Sequence, residues 1–220
     1  MKLAIKIWSR DVNLVGEINK IHQEGNISFV EIYTVPGTYD ASIKHLKLLD
    51  MPVIIHAPHS DSGFNIADSK LLNRNMNTFK EVKKFADTLN ANNIIVHAGE
   101  YGKIKDGLLC LKKLDDDRII IENMPKITLN NLNCIGYDQE TLKPFLDVSK
   151  GICLDFTHAC KAACAMKKNY KELIENLMQL NPLMFHITDG FDNNPKDEHL
   201  DIGEGNLNIR YFLSLIGEKA

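Results

Sequence analysis

The stretch Leu183–Asn206, LMFHITDGFDNNPKDEHLDIGEGN, joins a short apolar run to a dense group of polar side chains. The run Leu183–Phe185 is typical of a strand buried on both faces, as in a parallel sheet covered by helices. The polar candidates that follow it are His186, Asp189, Asp197, His199 and Glu204. Asp197 and His199 are two apart, so in extended chain they point to the same side and can share one ion. A polar surface loop is the alternative interpretation.

Composition predicts one domain spanning residues 1–220. The chain is 44% hydrophobic and has a length common for a single α/β barrel. With 26 basic against 29 acidic residues its formal charge is -3, which excludes a global electrostatic footprint for nucleic acid but leaves room for a local basic rim.

Targeting and redox signals point to a soluble, cytoplasmic protein that does not bind a membrane. The amino terminus starts directly on an apolar strand pattern, and no apolar run approaches the length of a membrane-spanning helix. The five cysteines are odd in number and scattered, which favours a reducing compartment over a disulfide framework.

Seven short apolar segments alternate with helical patterns along the chain. The predicted strands are Leu3–Trp8, Phe29–Tyr33, Val53–His56, Asn93–His97, Arg118–Glu122, Gly151–Asp155 and Leu183–His186. Amphipathic helices are clearest at Leu71–Leu89 and Tyr170–Leu180. This alternation predicts an α/β fold of parallel strands joined by right-handed crossovers.

Five of these segments end in a histidine or a carboxylate. The terminal residues are His56, His97, Glu122, Asp155 and His186. The carboxyl ends of the strands gather at one face of a closed parallel barrel, which is where such barrels carry their active sites. Each residue alone is more often a satisfied histidine or a cap than a ligand, but five equivalent positions favour a metal centre. Histidines and carboxylates without cysteine favour zinc, manganese or iron.

Two further histidines extend this group. His158 follows Asp155 by three residues and falls in the turn just after the strand. His59 competes with His56 for the third-strand position, and we prefer His56 because it ends the apolar run directly. His22 and His45 lie in helical patterns and are interpreted as surface or packing residues.

At this point the residues resemble the xylose isomerase-like TIM barrels, the superfamily of endonuclease IV and of many sugar-phosphate isomerases and epimerases. The motifs, in the family's order, are HAP at 56–58 with NIA at 65–67, VHAG at 96–99, IEN at 121–123, CLDFTHA at 153–159, FHITD at 185–189 and DEHLDIGEGN at 197–206. The resemblance covers nearly the whole chain and implies a TIM-type (β/α) barrel.

Carried over residue by residue, the endonuclease IV pattern implies three ions, zinc first, with manganese or iron as alternatives. The implied ligand sets are His56, His97 and Glu122 for the first ion, Glu122, Asp155 and His186 for the second, and His158, Asp197 and His199 for the third. Glu122, Asp155 and His199 would be the catalytic residues. The implied activity is attack of a metal-bound hydroxide on a phosphodiester in abasic-site DNA or a related phosphate ester.

Two departures from the family leave alternatives open. In the family an eighth strand ends in a glutamate of the second metal site, whereas here Asn208–Ile216 reads as the last helix and Glu218 follows no apolar strand. We therefore predict seven strands, with the chain either a truncated form or its gap closed by a terminal segment or a neighbouring subunit. The loop YTVPGTYD at 33–40 also lacks the arginine and large planar side chains with which endonuclease IV probes DNA.

The runner-up function is a metal-dependent isomerase or epimerase acting on a sugar or sugar phosphate. It would need one ion, on Glu122, Asp155 and His186, to hold sugar oxygens while a carboxylate moves a proton. A third interpretation is an inactive barrel that serves as a binding protein.

Overall fold

The computed structural model describes residues 1–217 and contains one sheet of seven parallel strands in the order β1 to β7. The strands are β1 Ala4–Trp8, β2 Phe29–Tyr33, β3 Val53–His56, β4 Ile94–His97, β5 Ile119–Glu122, β6 Gly151–Asp155 and β7 Met184–His186. Each pairs in parallel with its neighbours in sequence. The prediction of seven parallel strands is confirmed, with bounds that differ by one residue at most.

Helices connect the strands and cover the outside of the sheet. They are α1 Val15–Gln23, α2 Tyr39–Leu46, α3 Leu72–Thr88, α4 Ile104–Leu114, α5 Gln139–Leu142, α6 Phe156–Met166, α7 Tyr170–Met178 and α8 Ile209–Leu215. The long helix predicted at Leu71–Leu89 is α3, and the one predicted at Tyr170–Leu180 is α7. None of the helices within residues 1–217 is long and apolar enough to cross a membrane.

The curled sheet has apolar residues on both of its faces. A small cluster of Ile54, Ile95, Ile120 and Cys153 fills the inside of the curl, with Phe29 and Met184 packed against it. The larger core lies outside, where residues such as Ile55, Val96, Ile121 and Leu154 meet the helices. Because side chains alternate along a strand, the residue two positions after each inner residue also faces inward. The residues that follow the inner cluster by two positions, at the carboxyl ends of the strands, therefore also face the inside of the barrel.

The barrel stays open between β1 and β7, since no further strand pairs with either edge within residues 1–217. The expected absence of an eighth strand is thus confirmed for the described chain, and Glu218 lies outside the described residues. One detail is wrong: the sequence predicts that Leu183–Phe185 is buried on both faces, but Leu183 is 53% exposed and β7 is half-buried. The strand borders the gap, so no neighbour covers that side.

A cavity of about 960 Å³ extends from this opening into the barrel. Its walls include apolar residues near the amino ends of the strands, such as Leu3 and Ile54, and polar residues near the carboxyl ends, such as His97 and Asp155. The gap therefore connects solvent with the face of the barrel that carries the histidines.

Candidate metal centre

The carboxylate of Glu122, at the end of β5, lies at the centre of four imidazole rings. Its Oε2 atom is 3.0 Å from Nε2 of His56 and 3.3 Å from Nε2 of His97. Its Oε1 atom is 2.9 Å from Nδ1 of His186 and 3.7 Å from Nδ1 of His158. Burial would raise the pKa of Glu122, but the surrounding histidines, His186 and His97 above all, hold it well below its usual range. One ionised carboxylate thus faces ligand nitrogens on both sides.

A first group of donors comprises His56, His59 and His97, whose ligand atoms all lie within 4.8 Å of one another. The rings of His59 and His97 stack with centroids 4.2 Å apart. The backbone N–H of His59 donates to the hydroxyl of Tyr33 at 3.0 Å, and this hydrogen bond fixes the position of His59. The sequence offers His56 and His59 as alternatives for one position, whereas the structure brings both into the same group.

Burial favours the neutral form of His56 and of His59, in which one ring nitrogen has a free lone pair. Burial, together with the charge of Lys6, lowers the pKa of His56 to about 4. Burial and the neighbouring His97 also hold the pKa of His59 well below its ordinary value. Nδ1 of His56 lies 2.7 Å from the carbonyl oxygen of Ala57, so a neutral ring that donates there turns its Nε2 lone pair towards Glu122. Two acceptors face each other at 3.0 Å, an arrangement that a cation between them relieves.

The second group comprises Glu122, Asp155 and His186, which are the last residues of the adjacent strands β5, β6 and β7. Burial raises the pKa of Asp155, which also caps α6 by accepting the N–H of His158 at 2.7 Å. Asn123 fixes its backbone: the Asn123 amide donates to the carbonyl of Asp155 at 3.0 Å and accepts its N–H at 2.7 Å. The buried Asn123 is a supporting residue that is not among the candidates predicted from the sequence.

The third group comprises His158, Asp197 and His199. Nε2 of His158 lies 3.2 Å from Oδ2 of Asp197, and Nδ1 of His199 lies 2.7 Å from the same oxygen. Burial lowers the pKa of His158, but the carboxylates of Asp155 and Asp197 outweigh it and raise that pKa to about 10. Asp197 and His199 do meet, although not as neighbours in extended chain, because His199 adopts a left-handed φ of 50°.

The loop that carries Asp197 and His199 is organised by Asp189. The buried carboxylate of Asp189 accepts four backbone N–H groups, from Gly190, Gly203, Gly205 and Leu207, at 2.8 to 3.2 Å. Gly203 has a φ of +102°, and a Cβ at Gly205 would lie 2.3 Å from the carbonyl oxygen of Gly190. Asp189 therefore supports the loop and lies outside the three donor groups, while Glu204 is exposed and accepts the N–H of Asp201.

A buried lysine supports the same loop from below. Lys161 of α6 has no exposed surface, and its ammonium donates to the carbonyl of Phe191 at 2.7 Å and to the carboxylate of Glu198. Glu198 also accepts from the side-chain amide of Asn194. Neither Lys161 nor Glu198 stood out in the sequence, because no local pattern distinguishes a buried lysine from an exposed one on a helix.

Sequence reasoning also missed Glu31, which is 3% exposed in the middle of β2. Its Oε2 atom lies 2.7 Å from Nε2 of His186, and its Oε1 atom lies 3.1 Å from the ammonium of Lys6. Burial raises the pKa of Glu31, but His186 and Lys6 outweigh it and lower that pKa far below its usual range. The available signal was strand alternation, since Glu31 follows the inward-facing Phe29 by two positions.

All eight predicted ligands lie at the carboxyl-end face of the barrel. Their donors fit a divalent transition metal: imidazole nitrogens and carboxylate oxygens in groups of three. Two buried ring nitrogens, Nε2 of His59 and Nδ1 of His97, have no hydrogen-bond partner among the described residues, as expected of atoms that serve as ligands.

The fold and this donor set define a TIM-type barrel with a candidate metal site at the carboxyl ends of its strands. The sequence profile of the xylose isomerase-like TIM barrel family matches residues 28–220, and the chain belongs to that family.

Two relatives and one solved structure show the similarity of this chain to other proteins. The Methanocaldococcus jannaschii protein MJ1311 is 25% identical over 232 aligned positions, which cover 94% of this chain and 75% of the relative. The probable endonuclease 4 of Aquifex aeolicus is 28% identical over 206 positions, covering 83% of this chain and 71% of the relative. Among solved structures, a D-tagatose 3-epimerase-like protein superimposes with a TM-score of 0.72 at 23% identity, covering 98% of this chain and 85% of its own.

Proposed function

We propose that this protein is a divalent-metal-dependent phosphoesterase of the endonuclease IV type, with zinc as the first candidate metal. The observation that carries the proposal is the position of Glu122, whose two oxygens face His56 and His97 on one side and His186 on the other. A carboxylate placed in this way is suited to bridge two ions. The resemblance to a probable endonuclease 4 supports the same conclusion.

The three donor groups receive distinct roles in this proposal. His56 and His97, with His59 within reach, would hold one ion, and Glu122, Asp155 and His186 a second. His158, Asp197 and His199 would hold a third beside the scissile phosphate. Bound divalent ions would supply an activated water and positive charge for the phosphate oxygens.

The protein's own residues shape this chemistry before any substrate arrives. Glu122 and Asp155 provide the anionic charge that gathers cations at the strand ends, and burial keeps both carboxylates at low effective dielectric. His199 is the most exposed member of the candidate centre, with 62% of its side chain accessible, so it is placed to meet a substrate at the surface.

A sugar or sugar-phosphate epimerase is the second candidate, and one observation favours it. The cavity of about 960 Å³ that reaches Glu122, Asp155 and His186 through the gap is large enough for a small ligand. The loop at 33–40 offers no arginine for a DNA backbone, and the net charge of -3 does not attract nucleic acid. In this reading a single ion on Glu122, Asp155 and His186 suffices.

The decisive experiment measures metal and turnover on the same preparation. Protein purified without chelator should contain more than one equivalent of zinc, manganese or iron by elemental analysis. It should then nick a duplex with one abasic site in the presence of zinc or manganese, and EDTA should abolish this activity. Interconversion of a sugar phosphate without strand cleavage would establish the epimerase instead. Metal-free protein with no uptake and no turnover would support an inactive binding protein.

The open edge between β1 and β7 needs a partner for its backbone groups. We infer that a second copy of the chain or a terminal segment covers the β1 and β7 edges, because both leave backbone groups to be satisfied. Sedimentation velocity that finds only monomer would exclude the second copy.

The cytoplasm suits the protein because all five cysteines, each within residues 1–217, are free thiols.

A further inference from the structure

The imidazole of His186 is held between two carboxylates on opposite sides of the ring. Nδ1 lies 2.9 Å from Oε1 of Glu122, and Nε2 lies 2.7 Å from Oε2 of Glu31. Glu122 also contacts the other histidines of the candidate centre, whereas Glu31 lies on β2 and pairs with Lys6. The two carboxylates therefore face His186 from opposite sides. Glu31 also forms a fourth group of possible ligands with His56 and His186, so direct ligation is the role that competes with positioning.

This contact spans the opening in the barrel. His186 lies on β7 and Glu31 on β2, and β1 is the only strand within residues 1–217 that separates them on that side. Lys6 of β1 is the register partner of Glu31, and its ammonium lies 3.1 Å from Oε1. A chain of Lys6, Glu31 and His186 thus joins the two edges of the gap through side chains, where a closed barrel has backbone hydrogen bonds.

The chemistry of histidine gives this geometry a specific consequence. Both ring nitrogens of His186 face a carboxylate, but only Nδ1 faces the donor group that contains Glu122 and Asp155. An ion bound by that group would take the lone pair of Nδ1, which leaves the one proton of the neutral ring on Nε2, where Glu31 accepts it. The other nitrogen, Nδ1, is then left with its lone pair directed at the space shared with Glu122 and Asp155. Metal-binding histidines commonly donate their second N–H to a carboxylate, which fixes the ring and strengthens it as a ligand.

We propose that Glu31 is the positioning residue of His186: it accepts the Nε2–H of His186 across the open barrel edge and presents Nδ1 to the ion held with Glu122 and Asp155. This role depends on the metal centre of the proposed function, but it does not depend on which of the two candidate substrates the protein takes. Lys6 keeps Glu31 in place by pairing with its second oxygen. The position of His186 in the second donor group therefore depends on a contact that crosses the gap in the sheet.

The test measures metal binding in the absence of any substrate. Wild-type protein and Glu31→Gln are titrated with zinc against a chromophoric chelator, and Glu24→Gln, an exposed glutamate beside Lys20, serves as the matched control. Glu31→Gln should weaken the affinity for one zinc ion on the order of 10- to 100-fold, with the number of ions at saturation unchanged. Glu24→Gln should match the wild type.

A spectroscopic measurement separates positioning from general destabilisation. In zinc-loaded protein labelled with ¹⁵N-histidine, His186 should show a protonated Nε2 with a downfield proton, assigned by its loss in His186→Gln. In Glu31→Ala this proton should move upfield or exchange away while the other histidine signals stay in place. Thermal unfolding of each variant checks that the fold is retained.

Four results would overturn the proposal. Unchanged zinc affinity in Glu31→Gln would show that the carboxylate has no influence on the ligand. Loss of one full equivalent at saturation would make Glu31 a direct ligand, and an unprotonated Nε2 of His186 would show that this nitrogen donates no proton to Glu31. A wild-type protein without zinc uptake would remove both the metal centre and this role, whereas zinc-loaded protein that turns over no substrate would contradict the proposed function alone.

Discussion

Nε2 of His158 lies 3.2 Å from Oδ2 of Asp197, so a residue at the start of α6 meets a residue of the long loop after β7. The same oxygen of Asp197 accepts from Nδ1 of His199 at 2.7 Å. This contact brings the third donor group together, and it depends on the loop keeping its shape.

The two candidate activities differ in their need for His199. If the protein is a phosphoesterase, His199→Ala should lower cleavage of an abasic-site duplex on the order of 100-fold, because an ion beside the phosphate loses a ligand. If it is an epimerase, Glu122→Gln should abolish turnover while His199→Ala has a small effect. Initial rates on both substrates with added zinc decide the matter. His45→Ala, an exposed histidine on α2, is the control and should behave as wild type.

Replacing Asp189 should damage the loop without unfolding the barrel. Asp189→Ala leaves four backbone N–H groups without their common acceptor, which we expect to destabilise the protein by about 2 kcal/mol and to lower zinc affinity at the third donor group. Asp192→Asn, an exposed change in the same loop, should leave both unchanged. Urea unfolding and chelator competition measure the two effects. Equal zinc affinity in both variants would show that the loop does not need this carboxylate.

The pair formed by Lys161 and Glu198 should be coupled energetically. Lys161→Met removes the partner of a largely buried carboxylate and should cost about 3 kcal/mol in the free energy of unfolding. The double variant Lys161→Met with Glu198→Gln should recover part of that loss, giving a coupling of at least about 1 kcal/mol. Denaturation of the four proteins in a double-mutant cycle provides the number. Strict additivity would mean that the contact contributes nothing to the loop.

Metal-free protein should depend on pH through His158. Its pKa is about 10 in the folded protein, above the ordinary 6.5, because the carboxylates of Asp155 and Asp197 outweigh burial. Protonated His158 therefore stabilises the fold fully below about pH 6.5, and this contribution is lost as the pH rises towards about 10. With EDTA present, the difference in unfolding free energy between wild type and His158→Asn should shrink from pH 6 to pH 9.5. A difference that stays constant over this range would contradict the raised pKa.

The local sequence predicts much of this molecule because side-chain periodicity is a local property. Apolar runs closed by His56, His97, Glu122, Asp155 and His186 indicated both the strands and the face on which their last residues lie. The position of Glu31 was open to the same reasoning, because it follows Phe29 by two places. It was missed because it lies inside its strand and does not end it.

The tertiary structure decided which of these residues meet. His59 joins His56 and His97 only because a turn after β3 folds it back against Tyr33. Asp189 acts as the acceptor that shapes its loop, and Lys161 supports that loop from a helix, through contacts between residues far apart in sequence. Glu31 reaches His186 only because the sheet curls until β2 and β7 face each other across an open edge. Periodicity determines the direction of a side chain, whereas curvature and long-range packing determine what lies in that direction.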